Sequence, residues 1–295
     1  MGHVEEVAKV SISVPDNVFR NSLRIFRKHR MAVVGFGFFV VMALIALLAP
    51  FIAPYSQSAL STSFNEGPSM DHWLGTDSLG RDVFSRLIYA TRVSLLIGVC
   101  SVAIFVVVGT IVGSIAGFLG GKVDMVIMRI TDVFLSFPQL IIILVTVSIL
   151  TPNMGTIIFV LSAFSWAGVA RIARGSVLSL KERDFVKAGV ALGLSPTRIL
   201  FRHVIPNALG PIIVNATFGV AGAIMTESAL SFLGMGIQPP AASLGNMLMD
   251  AQSISVLLHQ QWLWLPPGIT ILLTVLAVNF IGDGLRDALD PRNAK

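Results

Sequence analysis

The stretch RDFVKAGVALGLSPTRILFRHVIPNALGP, residues 183–211, is a charged, helix-patterned segment in a chain that is otherwise mostly uncharged. On both sides of it the sequence is apolar over lengths that suit a membrane-crossing helix. The segment is therefore predicted to be a structured connection between two membrane spans. Six ionisable side chains fall within its first 21 positions, namely Arg183, Asp184, Lys187, Arg198, Arg202 and His203.

The composition of the whole chain supports a membrane protein. Of its 295 residues 54% are hydrophobic and only 13% are charged, whereas soluble domains are about a quarter charged. The net charge of +5 does not indicate a nucleic-acid partner, because the basic residues lie beside apolar runs and lack aromatic interleaving. The single cysteine, Cys100, lies inside an apolar run and is expected to be a small packing residue. The predicted fold class is all-α integral membrane protein.

Long apolar runs predict six transmembrane helices. The first run has 24 residues behind a polar tail, which makes it too long and too distant from the N-terminus for a cleaved signal peptide. The third and fourth runs share one uncharged stretch, which we divide at TPNMG, residues 151–155, because Pro and Gly favour a turn. The six predicted spans are residues 31–54, 93–119, 127–150, 155–171, 206–228 and 263–284.

The distribution of Lys and Arg predicts the orientation. With the N-terminus in the cytoplasm, 18 of the 21 Lys and Arg residues fall on the cytoplasmic side, and only Arg81, Arg86 and Arg92 lie outside. We therefore predict that both termini are cytoplasmic. The predicted organisation is a cytoplasmic tail at 1–30, a first span with an extracytoplasmic segment at 31–92, a five-helix core at 93–285 and a cytoplasmic tail at 286–295.

Two features of the spans are candidates for packing or function. Gly109, Gly113 and Gly117 recur every four residues and form a stripe on one helix face, which lets another helix approach closely, in this chain or in another. Glu227 is an acid near the outer end of the fifth span with no basic residue nearby in sequence. It is a candidate for the translocation pathway, or else it is hydrogen-bonded to a neighbouring helix or solvated.

Charge spacing and loop composition give three further expectations. Arg129 and Asp132, like Asp283 and Arg286, are three residues apart and are predicted to neutralise each other. The outer loop 229–262 is apolar with a single charge, so we expect it to fold back onto the protein or to enter the bilayer edge.

The opening segment is predicted to form two helices with a break between them. Phe185, Ala188 and Leu192 form an apolar stripe at helical spacing, and Gly193 suits the position just past a helix end. Ser195 can cap a second helix whose first turn accommodates Pro196. The physical pattern leaves two interpretations open, a surface hairpin between spans or a docking element for a cytosolic partner.

Enzyme motifs are not found. The sequence contains neither H-E-x-x-H nor G-x-S-x-G, and its five histidines show no metal-ligand spacing, so we predict no catalytic residue and no metal site. The energy for any work must then come from a partner or from an ion gradient.

Four stretches resemble the permease subunits of ABC importers. The cytoplasmic motif of that family resembles FVKAGVALGLSPTRILFRHVIPNALGP, and the positions that match are Lys187, Ala188, Gly189, Gly193, His203, Ile205 and Pro206. The stretches HWLGTDSLGRDVFSRLIYATRVSLLIG (72–98), ALSFLGMGIQPP (229–240) and GDGLRDALDP (282–291) are similar to the C-type permease of the dipeptide and oligopeptide branch. The resemblance covers nearly all of residues 31–291.

The resemblance implies a type I ABC importer permease in the plasma membrane of a bacterium or archaeon. Implied partners are a homologous second permease, two cytosolic ATPase subunits, an extracytoplasmic peptide-binding protein and the lipid bilayer. The chain itself would bind no cofactor, since ATP and Mg²⁺ are used by the ATPases. The resemblance also implies coupling helices at about 182–206, with ATPase-coupling residues Phe185, Lys187, Ala188, Gly189, Gly193, Ser195, Pro196, His203 and Pro206.

The chain departs from the family pattern at two of these positions. Lys187 stands where the family usually has Glu, and Gly189 where it usually has Ala, so the usual contact of that acid with an arginine of the ATPase is not expected. Short peptides are the expected cargo, with nickel, glutathione or antimicrobial peptides as alternatives. A carrier or channel that works alone is a different class of function, which would need ionisable residues deep in several spans, and these are scarce here.

Overall fold

A computed structural model describes residues 18–289, and these residues are mostly helical. Most of the predicted tails, 1–30 and 286–295, lies outside this range. The helices are α1 (Val18–Lys28), α2 (Arg30–Leu47), α3 (Ala49–Ile52), α4 (Val83–Leu119), α5 (Gly121–Ser136), α6 (Gln139–Ile149), α7 (Met154–Lys181), α8 (Asp184–Ala191), α9 (Pro196–Ile199), α10 (Ile205–Phe232), α11 (Leu244–Leu248), α12 (Ile254–His259) and α13 (Gln261–Leu289), with a π-helical turn at Leu200–Val204 and a 3-10 turn at Met249–Gln252.

Within the described residues, five helical segments are long and apolar enough to cross a membrane: α2, α4, α7, the continuous segment Pro196–Phe232 and α13. The pair α5 and α6 passes the same test together, which gives a sixth, broken span. The predicted all-α membrane fold is confirmed, while the orientation stays a prediction. Following that prediction, we call the end that carries α8 and α9 the inner end and the end that carries residues 53–82 the outer end.

The predicted third span, 127–150, is not one straight helix. The chain bends by 83° between α5 and α6, where Phe137 has the extended dihedrals φ −99° and ψ 146°. The cause is Pro138, which disfavours helical geometry in the residue before it and has no N–H to continue the helix. Hydropathy alone does not reveal this break, because residues 133–150 on both sides of Pro138 are uncharged.

Other boundaries follow local capping signals. The chain turns between Ile149 and Met154, within one or two residues of the predicted break, and the Asn153 side chain caps α7 by accepting the N–H of Thr156 at 3.0 Å. Helix α4 begins ten residues before the predicted span because the Asp82 carboxylate accepts the N–H of Ser85 at 2.7 Å. The capping groups extend both helices beyond their most apolar residues.

The glycine stripe of α4 packs against α7 in the same chain, and the two helices run parallel. A Cβ placed on Gly109 would lie 2.6 Å from the carbonyl oxygen of Trp166, and one on Gly117 would lie 2.9 Å from that of Arg174. At Gly113 the Cβ would overlap the backbone of Ala170. Only hydrogen fits at the three positions, so the two backbones are in direct contact.

Ion pairs hold the inner half of the broken span on α7. Arg174 donates two hydrogen bonds to the carboxylate of Asp124, at 2.5 and 2.6 Å. Arg171 donates to Asp132 at 2.6 Å. The predicted pairing of Arg129 with Asp132 is therefore wrong, because α7 places a better-aligned guanidinium beside that carboxylate.

The outer end is a compact assembly of loop and short helix. The Asp77 carboxylate accepts hydrogen bonds from the backbone and the guanidinium of Arg81 at 2.9 and 2.7 Å, and Trp262 of α13 donates to the carbonyl of Thr76 at 3.3 Å. The loop 229–262 folds back onto the protein through α11, whose Leu244 and Met247 are buried. The apolar character of this loop is thus used in packing.

Substitution of Gly113 by Ala tests the contact between α4 and α7. We expect Gly113→Ala to lower the free energy of unfolding by about 1–3 kcal/mol, because the added methyl group overlaps the α7 backbone. The midpoint of thermal unfolding in detergent measures the effect. Gly37→Ala is the matched control, since a Cβ on this exposed α2 glycine meets nothing within 4 Å. An equal response of the two variants would contradict the contact.

Candidate functional site

The first half of the predicted coupling segment is α8, and it ends at a left-handed glycine. Gly193 has φ +73°, a conformation that residues with a side chain rarely adopt. Its N–H donates to the carbonyl of Val190 at 3.0 Å, and the N–H of Leu194 donates to the carbonyl of Gly189 at 3.1 Å. These two bonds form a Schellman motif, which turns the chain sharply after the helix.

The second half of the segment is joined to the fifth span without a break. The Ser195 hydroxyl accepts the N–H of Arg198 at 3.4 Å, and Pro196 occupies the first turn of α9. The π-helical turn then leads directly into α10. Pro206 follows this turn, and the wider turn accommodates its ring beside the carbonyl of Arg202, with which it would clash in a regular α-helix. The carbonyl of His203 accepts a hydrogen bond from the Asn207 amide at 2.6 Å.

The side chains of the segment are divided between a buried and an exposed face. Val186, Ile199 and Leu200 are buried against the inner end of α7, in a hydrophobic cluster with Val177. The stripe of Phe185, Ala188 and Leu192 is exposed instead, with 43% of Phe185 and 81% of Leu192 accessible. We call these three residues the exposed stripe. An apolar stripe on a rigid helix that the chain itself does not cover is typical of a docking surface.

The two departures from the family pattern have clear local surroundings. The ammonium of Lys187 lies 3.8 Å from the carboxylate of Glu182, and both side chains are mostly exposed. Such an ion pair contributes at most about 1 kcal/mol, so Lys187 stays available to a partner. A Cβ on Gly189 would lie 3.5 Å from Leu194, which is ordinary contact, so the segment has room for the alanine that is usual in the family.

Glu227 is buried in a hydroxyl-lined site between α4, α10 and α11. Its carboxylate accepts hydrogen bonds from Ser94 at 2.9 Å and from Ser231 at 2.7 Å, and no part of the residue is exposed. Ser94 in turn accepts the N–H of Leu244, and Ser243 donates to Ser231. This geometry corresponds to the hydrogen-bonded alternative, in which Glu227 joins helices. The pathway role of Glu227 stays a prediction.

A polar cavity that sequence reasoning missed lies between the bend of the broken span, α7 and α10. It measures about 380 Å³ and is lined by Gln139, Ser165, Asn215 and Thr226 among apolar residues and glycines. Among polar residues inside the spans, the sequence pattern drew attention to the ionisable Glu227, whereas these four side chains are neutral. A signal was available, because amide and hydroxyl side chains in a membrane span commonly form hydrogen bonds between helices.

The fold defines a polytopic helical membrane protein with an exposed apolar stripe at the inner end. Comparison with known proteins identifies the family. The family described as "Binding-protein-dependent transport system inner membrane component" matches residues 109–295, and the one described as "N-terminal TM domain of oligopeptide transport permease C" matches residues 17–68. The chain belongs to the family of binding-protein-dependent transport permeases, as its four motifs indicated.

Three similar proteins illustrate the relationship. The oligopeptide transport system permease protein OppC of Bacillus subtilis is 39% identical over 100% of this chain and 95% of its own length. The dipeptide transport system permease protein DppC of the same organism is 40% identical, over 98% of this chain and 89% of that protein. DppC of Haemophilus influenzae is 38% identical over 90% and 92%. The similarity therefore extends over nearly the whole chain.

Two glycines four residues apart give a matched test of the segment. Gly193→Ala should destabilise the turn by about 1–2 kcal/mol because its φ is positive. Gly189→Ala should be neutral or stabilising, since this helical position has room for a methyl group. Amide hydrogen exchange over residues 184–200 would show faster exchange in the first variant alone. The reverse order would contradict the turn geometry.

The buried carboxylate can be tested through α11. We expect Glu227→Leu to weaken the attachment of α11 by about 1–3 kcal/mol, because the serine hydroxyls lose their acceptor. The readout is the rate of thiol labelling at a Met247→Cys reporter in a Cys100→Ala background. Glu227→Gln keeps one acceptor oxygen and should show a smaller increase. Labelling that does not change in Glu227→Leu would show that α11 is held by packing alone.

Proposed function

We propose that the chain is the membrane-spanning subunit of an ATP-driven importer that translocates short peptides delivered by an extracytoplasmic binding protein. The exposed stripe is the observation that carries this proposal. It places uncovered apolar side chains on a rigid hairpin at the inner end, where cytosolic ATPase subunits would bind. The names of the similar proteins OppC and DppC, which are oligopeptide and dipeptide permeases, support the peptide cargo.

The proposed mechanism transmits a movement and requires no chemistry on this chain. ATP and Mg²⁺ are bound by the two ATPase subunits, and the chain binds neither and is not an enzyme. When the ATPases close on ATP, they displace α8 and α9, and the displacement favours the outward-facing arrangement of the spans. Contacts with the binding protein favour the same arrangement. ATP and the binding protein therefore both increase the population of the outward-facing arrangement.

Continuity of the backbone supports this coupling. From Pro196 to Phe232 the chain is helical without interruption, through α9, the π-helical turn and α10. The buried face of the hairpin is anchored to α7 by Val186 and Ile199. A force on the exposed stripe is therefore applied to two spans at once, one by direct continuation and one by packing.

Lipid and a second permease complete the proposed assembly. The membrane is the plasma membrane of a bacterium or archaeon, with both termini in the cytoplasm. A homologous second permease, as is general in this family, supplies the other side of the translocation path. The cavity between α7 and α10 is the surface on this chain that we assign to the translocation path.

Reconstitution tests the proposed function directly. Proteoliposomes that contain this chain, its second permease and both ATPases should accumulate a radiolabelled tripeptide only when the binding protein and ATP are supplied. Omission of any component should abolish accumulation. Uptake by proteoliposomes that contain this chain alone would overturn the proposal in favour of a carrier or channel.

Replacement of one residue in the exposed stripe tests the docking surface. We expect Leu192→Ser to reduce co-purification of the ATPase subunits about tenfold, because it removes most of a buried leucine's contribution to the interface. The matched control is Leu60→Ser, an exposed leucine in the outer segment with 72% accessibility. The proposal predicts normal co-purification for this control. A full complex with Leu192→Ser would show that the ATPases bind elsewhere.

A further inference from the structure

A second cavity continues the first along α7 and α10 toward the inner end. It measures about 400 Å³ and shares Ile172, Asn215 and Phe218 with the polar cavity, so the two form one groove. On α10 the groove follows Asn215, Gly219, Gly222 and Thr226, which lie on one helix face at spacings of three and four residues, and it continues past Gly210 toward the inner end. At 1.5 Å per residue these four residues span about 16 Å of the helix, about half the thickness of the hydrocarbon core.

The lining of the outer part of this groove is polar but uncharged. Gln139, Ser165, Asn215 and Thr226 contribute amide and hydroxyl groups, and none of the residues that line this cavity is ionisable. Gln139 donates to Ser165 at 2.7 Å, so these two groups are held in place across the groove. A neutral lining binds polar ligands without selecting their charge.

Asn215 lies where the two cavities meet, and its amide has no partner. Within residues 18–289 its side chain makes no hydrogen bond, although it is half-buried at the depth of the membrane. An unpaired amide at this depth costs free energy unless water or a ligand binds it. The amide offers two donors and one acceptor oxygen. It therefore matches a ligand that presents both kinds of group, as a peptide main chain does.

The glycines of the groove make room for something outside this chain. A Cβ on Gly168 of α7 or Gly222 of α10 would meet nothing within 4 Å, so packing of this chain does not require glycine there. In contrast, a Cβ on Gly109 would lie 2.6 Å from α7. Glycine costs a helix about 1 kcal/mol relative to alanine. Both glycines line the outer cavity, so they leave room there for a group from outside this chain.

We propose that this groove binds the main chain of the translocated peptide, and that Asn215 is the amide that pairs with peptide N–H and C=O groups. This inference rests on the proposed function and adds the ligand contact. An extended tripeptide is about 10 Å long and fits lengthwise in the groove. The outer part of the groove is uncharged, whereas Arg286 lines its inner part. A main-chain contact in the outer part therefore accepts peptides regardless of the charge on their side chains. The other possible occupant of the groove is a helix of the second permease.

Variants at Asn215 and Gly222 test the groove in the complete transporter. Asn215→Leu replaces the amide with an apolar side chain of similar size, and Gly222→Leu fills the free space of the groove. We expect each variant to lower ATP-dependent tripeptide uptake about tenfold. The matched controls are Thr217→Val, a neutral polar residue of α10 that faces the apolar side, and Gly37→Leu, an open glycine of α2. Both controls should transport as the wild type does. Uptake is measured with Ala-Ala-Ala, Ala-Lys-Ala and Ala-Glu-Ala.

The outcomes separate the ligand contact from the alternatives. For each peptide, the uptake by the variant is divided by the uptake by the wild type, so that the selectivity of the binding protein cancels. Main-chain binding predicts the same reduction of this ratio for all three peptides. Binding-protein-stimulated ATP hydrolysis and co-purification of the second permease should be retained. Loss of that co-purification would assign the groove to the interface between permeases and overturn the inference, as would unchanged uptake. A wild-type complex that transports no peptide would overturn the proposed function itself.

Discussion

Direct backbone contact between α4 and α7 positions the elements on which the proposed function depends. Glycines on α4 bring the two helices so close that the carbonyl oxygens of α7 take the place of side chains. The position of α7 then determines the rest of the inner end. Its residue Val177 provides the surface on which the α8–α9 hairpin packs, and its arginines hold the broken span. A wider separation of α4 and α7 would displace both the hairpin and one wall of the groove.

Helix breaks define the functional regions more than the helices do. The bend at Pro138 brings Gln139 to the edge of the polar cavity. The left-handed turn at Gly193 orients α8 so that one face packs on α7 and the other is exposed. In a bilayer each break leaves backbone groups that need partners, so breaks persist only where protein or water satisfies them. Both breaks lie at such places, one beside a polar cavity and one beyond the spans.

The parts of this structure that sequence could predict are those whose causes are local. The end of α8 at Gly193, the restart at Ser195 and the turn before α7 each depend on residues within one helical turn, and each lies where the pattern indicated. The bend at Pro138 was equally local, and it was missed because hydropathy was weighed above proline. The partner of Asp132 could not be predicted from the sequence. Arg129 is nearer to it along the chain, but the carboxylate pairs with Arg171 of α7, which only the tertiary fold brings close. The outer part of the groove was missed for a different reason, namely that its lining is neutral.

The position of α10 explains how one helix could serve coupling, cargo and the outer end together. Its inner end continues from the hairpin, its middle carries Asn215 and its outer part carries the buried Glu227. Because the helix is continuous, a displacement imposed at its inner end would tilt the whole helix about its outer part, where Ser94 of α4 donates to the Glu227 carboxylate. The hydroxyl-bonded carboxylate then acts as the fixed connection to α4 and α11, since an acid without a basic partner tolerates little separation from its three serines. The proposed cycle therefore needs no flexible joint in α10, only a change in tilt that alters the width of the groove beside Asn215.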